Sequence, residues 1–156
     1  MKRIMLLVCL GVFSSPAFAE DTKMNMELTA YIPGFGVEYQ LDDTRTLGLN
    51  YSAFKSVNVN MTSYNDGVFN GGYFNNVFLG YGDDGSNSVG LFTLGKYMYA
   101  GAVFGYQWDL DNGVNINADA GLMLVAFNLF DSNNQTEFLP LPAFALSVGY
   151  AFSLGD

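Results

Sequence analysis

The chain alternates between large apolar residues and small or polar residues along much of its length, and this two-residue period is typical of β-strands. The last run is the clearest: from Ala143 to Leu154, large apolar residues occupy every second position, with alanine, serine or glycine between them. The same alternation extends over 114–126, 97–110 and 46–58. Each run is about as long as the 9 to 11 residues of a tilted transmembrane strand. No window has the period of an amphipathic helix, so we predict an all-β protein.

Short turns rich in Asp, Asn and Gly separate these runs at 42–45, 83–87 and 111–113, and they predict three hairpins. The connections predicted near 59–67, 95–97 and 128–141 vary more in length and composition.

The apolar parity of the first segment flips at Pro33-Gly34. A one-residue slip would turn every following side chain to the wrong face, so we interpret this dipeptide as a connection between two short strands. The strand count is then eight, an even number as in closed bacterial barrels. We predict a closed antiparallel up-and-down transmembrane β-barrel.

The composition of the two faces predicts which of them points outward. A soluble barrel carries charged residues on its outer face, whereas here the face opposite the large residues is made of Gly, Ala, Ser and Asn with few charges. Such small side chains suit the narrow lumen of an eight-stranded barrel. We therefore expect the large side chains outside, in contact with lipid, with Tyr and Trp near the membrane interfaces.

The N-terminal segment has the three parts of a secretory signal peptide. Lys2 and Arg3 precede the apolar run 4–13, and Ala17-Phe18-Ala19 is a small-x-small cleavage signature. The run is half the length of about 20 residues that a membrane-spanning helix needs. We predict a signal peptide over 1–19 and an outer-membrane barrel domain over 20–156.

Charge and composition exclude several classes of function. The chain has six Lys and Arg against fifteen Asp and Glu, for a formal net charge of −9, and no histidine. Nucleic-acid binding is not expected, because phosphate neutralisation needs basic side chains. Without histidine, neither a His-dependent catalytic triad nor a His-ligated metal site can form. We predict no enzymatic activity, no catalytic residues, no cofactor and no metal.

The signal peptide, the hairpins and the aromatic-rich last strand resemble the small eight-stranded outer-membrane barrels of Gram-negative bacteria, the OmpA-like and OmpX-like group. Within the last strand, Ser147-x-Gly149-x-x-Phe152-x-Leu154 is similar to the terminal signal by which the barrel assembly machinery of such bacteria selects its clients; Gly155 and Asp156 follow it. The resemblance implies a location in the cell outer membrane, with its lipids and the assembly machinery as partners. We expect a monomer.

Polar residues on the inward parity of their strands are candidate luminal residues, and they are Glu38, Asp119, Asp109 and Gln107. An ionisable group inside a membrane protein suggests a function. The alternative is that Glu38 and Asp119 bond to luminal Asn, Tyr or a basic side chain and hold the register. Because the lumen of an eight-stranded barrel is filled by side chains, we favour the second interpretation.

The connection 128–141 is the candidate surface loop. If the N-terminus lies in the periplasm, the tight aspartate turns lie on the periplasmic side and this connection lies outside, where such barrels carry their longer loops. It contains Phe130, Asp131, Glu137 and Phe138. Exposed apolar residues of this kind form a contact site or fold back onto the barrel rim, and the sequence identifies no partner.

The sequence therefore predicts an integral outer-membrane barrel with a structural or surface-interaction role and no catalysis. One alternative is a narrow channel for small solutes or ions. A second is a soluble periplasmic barrel that binds an apolar ligand in its lumen, with the large face turned inward.

Overall fold

The computed structural model describes residues 22–30, 33–53, 55–83, 96–127 and 135–154. Eight strands form a closed antiparallel up-and-down barrel, in which each strand pairs with its neighbour in sequence and the last pairs with the first. A short 3-10 turn, Asp111–Gly113, precedes the seventh strand. The strands are β1 (Lys23–Thr29), β2 (Gly34–Gln40), β3 (Arg45–Ser52), β4 (Ser56–Tyr64), β5 (Gly72–Asp83), β6 (Lys96–Asp109), β7 (Val114–Phe127) and β8 (Glu137–Ser153).

The predicted all-β class, closed barrel and strand number are confirmed. The connections at 42–45, 111–113 and Pro33-Gly34 are confirmed as well, since each joins two paired strands; Gly34 and Arg45 are already the first residues of β2 and β3. Among the described residues, no helix is long and apolar enough to cross a bilayer.

The barrel has two ends, which we name by what they hold. The terminal end holds the start of β1 and the end of β8, and the loop end is the opposite one. The connections at the terminal end are 41–44, 65–71 and 110–113, and those at the loop end are 30–33, 53–55, 84–95 and 128–136. The predicted turn at 83–87 therefore starts at the loop end, so the prediction that all three aspartate turns share one side is wrong.

The prediction of one continuous run over 46–58 is also wrong. β3 ends at Ser52 and β4 begins at Ser56, with Lys55 in the left-handed region at φ 52° in the turn between them. Tyr51 pairs with Val57 across this hairpin, so both lie on the outward face. The alternation therefore continues through the turn without a change of parity, so the turn cannot be recognised from the alternation.

Two predicted connections lie partly inside strands. Most of 59–67 belongs to β4, which extends to Tyr64, and the connection that follows is 65–71. In the predicted connection 95–97, Lys96 and Tyr97 open β6, where they pair with Asp83 and Gly82. The connection between β5 and β6 is 84–95, which lies outside the described residues.

The large side chains point outward, as the composition of the two faces predicts. Leu28 and Leu122 are 68% and 70% exposed, while Asn25, Thr46 and Gln107 are fully buried inside the barrel. The interpretation as a soluble carrier requires the large face to point inward, and the structure shows the opposite arrangement.

Aromatic side chains cluster on the outer face near the terminal end. Tyr73 stacks on Phe104 with ring centroids 5.3 Å apart, and Tyr106 lies 5.0 Å from both Tyr73 and Trp108. Amphipathic rings at this position are typical of the girdles that flank the apolar band of a membrane barrel.

The 42–45 turn is held by an exposed carboxylate. Asp42 accepts hydrogen bonds from the Thr44 amide at 2.9 Å and from Arg45 Nε at 2.7 Å. The Arg45 guanidinium lowers the pKa of Asp42 to about 2. The turn therefore keeps its carboxylate acceptor at any ordinary pH.

The connection 65–71 folds into the terminal end of the lumen. We call Val68 and Phe69 the terminal plug; both are buried and lie against Tyr64 and Phe74. Phe69 has a left-handed φ of 57°, an unfavourable conformation for a residue with a Cβ. Its ring lies 5.7 Å from that of Tyr64 in an edge-on arrangement, and this packing holds the strained backbone in place.

Strand length increases along the chain, from seven residues in β1 and β2 to fourteen in β7 and seventeen in β8. At the terminal end β1 and β8 finish together, with Lys23 opposite Ser153. We call the paired residues 23–29 and 147–153 the β8–β1 seam. The other ten residues of β8, 137–146, extend past the last paired residue of β1 towards the loop end, so the loop end is tall along β5–β8 and low along β1–β4.

Candidate functional site in the barrel lumen

A buried hydrogen-bond network on β2 and β4 surrounds Glu38. The carboxylate accepts bonds from Thr62 Oγ1 at 2.9 Å, Tyr64 Oη at 2.9 Å and Asn60 Nδ2 at 3.2 Å. These three partners share the inward face of β4 because they are two residues apart. Gly48 on β3 lies between Glu38 and Asn60 in the register, and a Cβ there would collide with the Asn60 amide. The glycine therefore allows β2 and β4 to interact across β3.

A second network joins β1, β7 and β8 across the seam. Glu27 accepts bonds from Ser147 Oγ at 3.1 Å and from Asn117 Nδ2 at 3.4 Å. Asn115 Nδ2 donates to Asn25 Oδ1 at 3.0 Å, and both of these side chains are fully buried. Since the bonds connect the two ends of the chain, this network holds the seam from the inside.

Three carboxyl groups, those of Glu27, Glu38 and Asp119, line one luminal cavity of about 40 Å³. The other described residues that line it are Thr29, Thr62, Tyr64, Phe74, Asn76, Asn117, Ala145 and Ser147, none of them basic. The cavity has room for one or two water molecules. Within the described ranges, no group of three or more acidic, His or Cys side chains is arranged to hold a metal ion.

Several buried polar atoms in the lumen have no hydrogen-bond partner among the described residues. Asn76 Oδ1 and Asn117 Oδ1, both on residues that line the cavity, are among them, as are Oε1 and Nε2 of Gln107. Buried polar groups of this kind are usually satisfied by internal water. The lumen is therefore suited to hold a few ordered waters between its carboxyl and amide groups.

The predicted luminal residues have three different environments. Glu38 and Gln107 are buried, and Asp119 is half-buried beside the cavity. Asp109 is a correction: it has the inward parity, but it is the last residue of β6 and is exposed at the terminal end. There it lines a separate cleft of about 370 Å³ that opens next to the terminal plug.

Glu27 is the luminal carboxyl that the sequence analysis missed. It lies between Met26 and Leu28, which are both exposed on the outer face, so the alternation of β1 alone places it inside. The partners of Glu38 are amide and hydroxyl groups, as the hypothesis of a register-holding role expects. Whether these carboxyls have a further function stays a hypothesis.

The residues of the predicted assembly signal divide between the two faces of β8. Ser147 and Gly149 are buried in the lumen, and Leu154 beyond the strand is exposed. Phe152 has the outward parity and is paired with Met24. A Cβ at Gly149 would lie 2.5 Å from Asn115 Oδ1 and 2.6 Å from Asn25 Oδ1, so any larger residue here would displace these two buried amides.

The predicted surface loop is shorter than expected. Phe130 and Asp131 lie outside the described residues, whereas Glu137 and Phe138 are the first residues of β8, paired with Phe127 and Ala126. The connection is 128–136, and the connection 84–95 exceeds it in length.

Pro140 and Pro142 lie within β8, and the direction of the backbone hydrogen bonds explains why they do not interrupt it. Leu146 O, of the same parity, accepts a bond from the amide of Ala30, the residue after β1, so these prolines face the β1 side and leave the β7 ladder intact.

No protein family, curated protein or solved structure matches this chain.

Proposed function

We propose that this protein is an integral outer-membrane β-barrel of a Gram-negative bacterium, exported by a cleaved signal peptide, with a structural or surface-interaction role and no catalysis. One observation carries the proposal: the outer face of the barrel is covered with exposed large apolar side chains. Apolar surface this extensive marks contact with a membrane or a protein. A closed sheet is the form of β-structure that can satisfy its backbone in hydrocarbon.

The terminal end is then periplasmic and the loop end lies at the cell surface. This orientation follows the usual arrangement, in which periplasmic turns are short and extracellular connections long. It places 84–95 and 128–136 outside, together with the tall wall formed by β5–β8.

If the proposal holds, the protein will fractionate with outer membranes, and unheated samples will migrate differently from boiled samples on denaturing gels. The reason is that a closed, fully hydrogen-bonded barrel resists detergent until it is heated. Fractionation followed by detergent extraction measures both properties. Recovery in the soluble periplasmic fraction would contradict the proposal.

If the protein were instead a narrow channel, the purified protein would conduct ions across a planar bilayer. The terminal plug and the networks around Glu27 and Glu38 fill the lumen around a cavity of only about 40 Å³, so we expect no steady conductance from purified protein in planar bilayers. Reproducible ion-selective steps would favour the channel instead. Their loss in the Asp119→Asn variant would then assign Asp119 to the pathway.

A further inference from the structure

The β8–β1 seam is short compared with the membrane that surrounds it under the proposed function. It consists of seven paired positions, from Lys23–Ser153 to Thr29–Ser147. At about 3.3 Å per residue and a tilt of about 40°, the seam is roughly 18 Å tall. The apolar band of an outer-membrane barrel is about 25 Å tall.

The taller part of β8 cannot make up this difference. Its residues 137–143 pair with β7 on one side, and within the described residues no strand of the barrel pairs with their other side. Unpaired backbone groups in hydrocarbon are strongly unfavourable. This segment must therefore lie above the hydrocarbon, whose upper surface at the seam lies close to Thr29 and Ser147.

Two residues of the open edge suit a strand that has no partner on that side. Pro140 and Pro142 both face this edge, where they remove two backbone donors that a partner strand would need. Such residues protect an edge strand that meets water and other chains. The exposed edge is thus built to stay unpaired rather than to recruit a ninth strand.

The opposite wall has no such restriction. β5 and β6 contain twelve and fourteen residues, and β5 is paired with β4 over 74–82 and with β6 over its whole length. Outward-facing apolar residues continue up this wall, among them Val77 and Leu79. A band of ordinary height fits there, so the part of the wall that is paired on both sides is wedge-shaped around the barrel.

We propose that the barrel locally thins the outer membrane along the β8–β1 seam, so that the partner of this face is a compressed lipid layer. A protein with a short apolar belt is matched to the bilayer by local thinning. The inference rests on the proposed membrane location. It makes the lipid beside β1 the place where the barrel disturbs the membrane most.

Lysine substitution at two matched positions tests the proposal. Leu28 on β1 and Val77 on β5 each lie five residues from the terminal-end limit of their strand, and both are exposed on the outer face. The register neighbours of Leu28 are Phe35 and Val148, and those of Val77 are Met61 and Ala102, so neither lysine gains an acidic partner. The alanine variants Leu28→Ala and Val77→Ala serve as references.

The purified protein is refolded into dimyristoylphosphatidylcholine vesicles, and the unfolding equilibrium constant is measured by urea titration. A lysine near the bilayer midplane is much more unfavourable than one near the interface. We therefore expect Val77→Lys to raise the constant about 30-fold or more, and Leu28→Lys to raise it less than about fivefold. Equal effects at the two positions would overturn the inference.

A second measurement covers the case in which Val77→Lys does not fold. In a Trp108→Phe background, tryptophan at position 28 or 77 reports its depth through quenching by lipids brominated at the headgroup end or deep in the chains. The inference requires shallow quenching for Leu28→Trp and deep quenching for Val77→Trp, and equal depths contradict it. If the unsubstituted protein does not insert into vesicles at all, it is the proposed membrane location that fails.

Discussion

Replacing Gly149 by valine is expected to prevent the barrel from closing at the β8–β1 seam. The new Cβ would lie 2.5 Å and 2.6 Å from the amide oxygens of Asn115 and Asn25, two side chains that are fully buried and bonded to each other. Overpacking costs about 1–3 kcal/mol, and a buried hydrogen bond broken without replacement costs a similar amount. A loss of about 3–5 kcal/mol is a large share of the stability of an ordinary domain.

The measurement is refolding of urea-denatured protein into detergent micelles, followed by gel migration of unheated samples. The matched control is Phe152→Leu, which removes the aromatic ring of the proposed assembly signal and keeps an apolar side chain on the outer face. We expect Gly149→Val to fail in the purified system and Phe152→Leu to refold there but to assemble more slowly in cells. Normal refolding of Gly149→Val would show that its glycine serves recognition and not packing.

Replacing Glu38 by alanine is expected to lower the free energy of unfolding by about 3 kcal/mol or more. The change removes the acceptor of three buried donors, on Thr62, Tyr64 and Asn60, and each unsatisfied donor costs about 1–3 kcal/mol. Glu38→Gln keeps the shape and one acceptor oxygen, so its expected loss is less than half as large. Urea titration followed by the fluorescence of Trp108, the single tryptophan, measures both variants.

The two variants together decide between the interpretations of the luminal carboxyls. A large loss in Glu38→Ala with a small loss in Glu38→Gln supports a role in holding β2 against β4. If Glu38→Ala is as stable as the unsubstituted protein, the network does not stabilise the barrel. The buried carboxyl would then require a functional explanation.

The alternation of residues predicts the two faces of the barrel because side-chain direction in a strand depends on parity alone. For the same reason it places Glu38 and Gln107 in the lumen without any knowledge of their partners. Parity fails where a turn preserves it, as at 53–55, where Tyr51 and Val57 stay on one face. It also says nothing about how far a strand extends beyond the barrel rim, and Asp109 is exposed for that reason.

The partners in the candidate site depend on register, which a single sequence does not specify. Glu38 reaches Asn60 because Gly48 lies between them, and that alignment is set by two hairpins at once. The start of β8 was missed for a different reason. Prolines are usual in loops, and Pro140 and Pro142 fit this strand because no described strand pairs with its other side above β1.

The gradient in strand length also suggests an order of folding. The β7–β8 hairpin is local in sequence and pairs fourteen positions, whereas the seam joins the two ends of the chain through seven. Contacts between distant residues form late, because the entropy of closing the intervening chain must be overcome first. We expect the tall sheet of C-terminal strands to form early, and β1 to be the last strand that pairs with it. The ladder that completes the barrel is thus half as long as the hairpin that forms first.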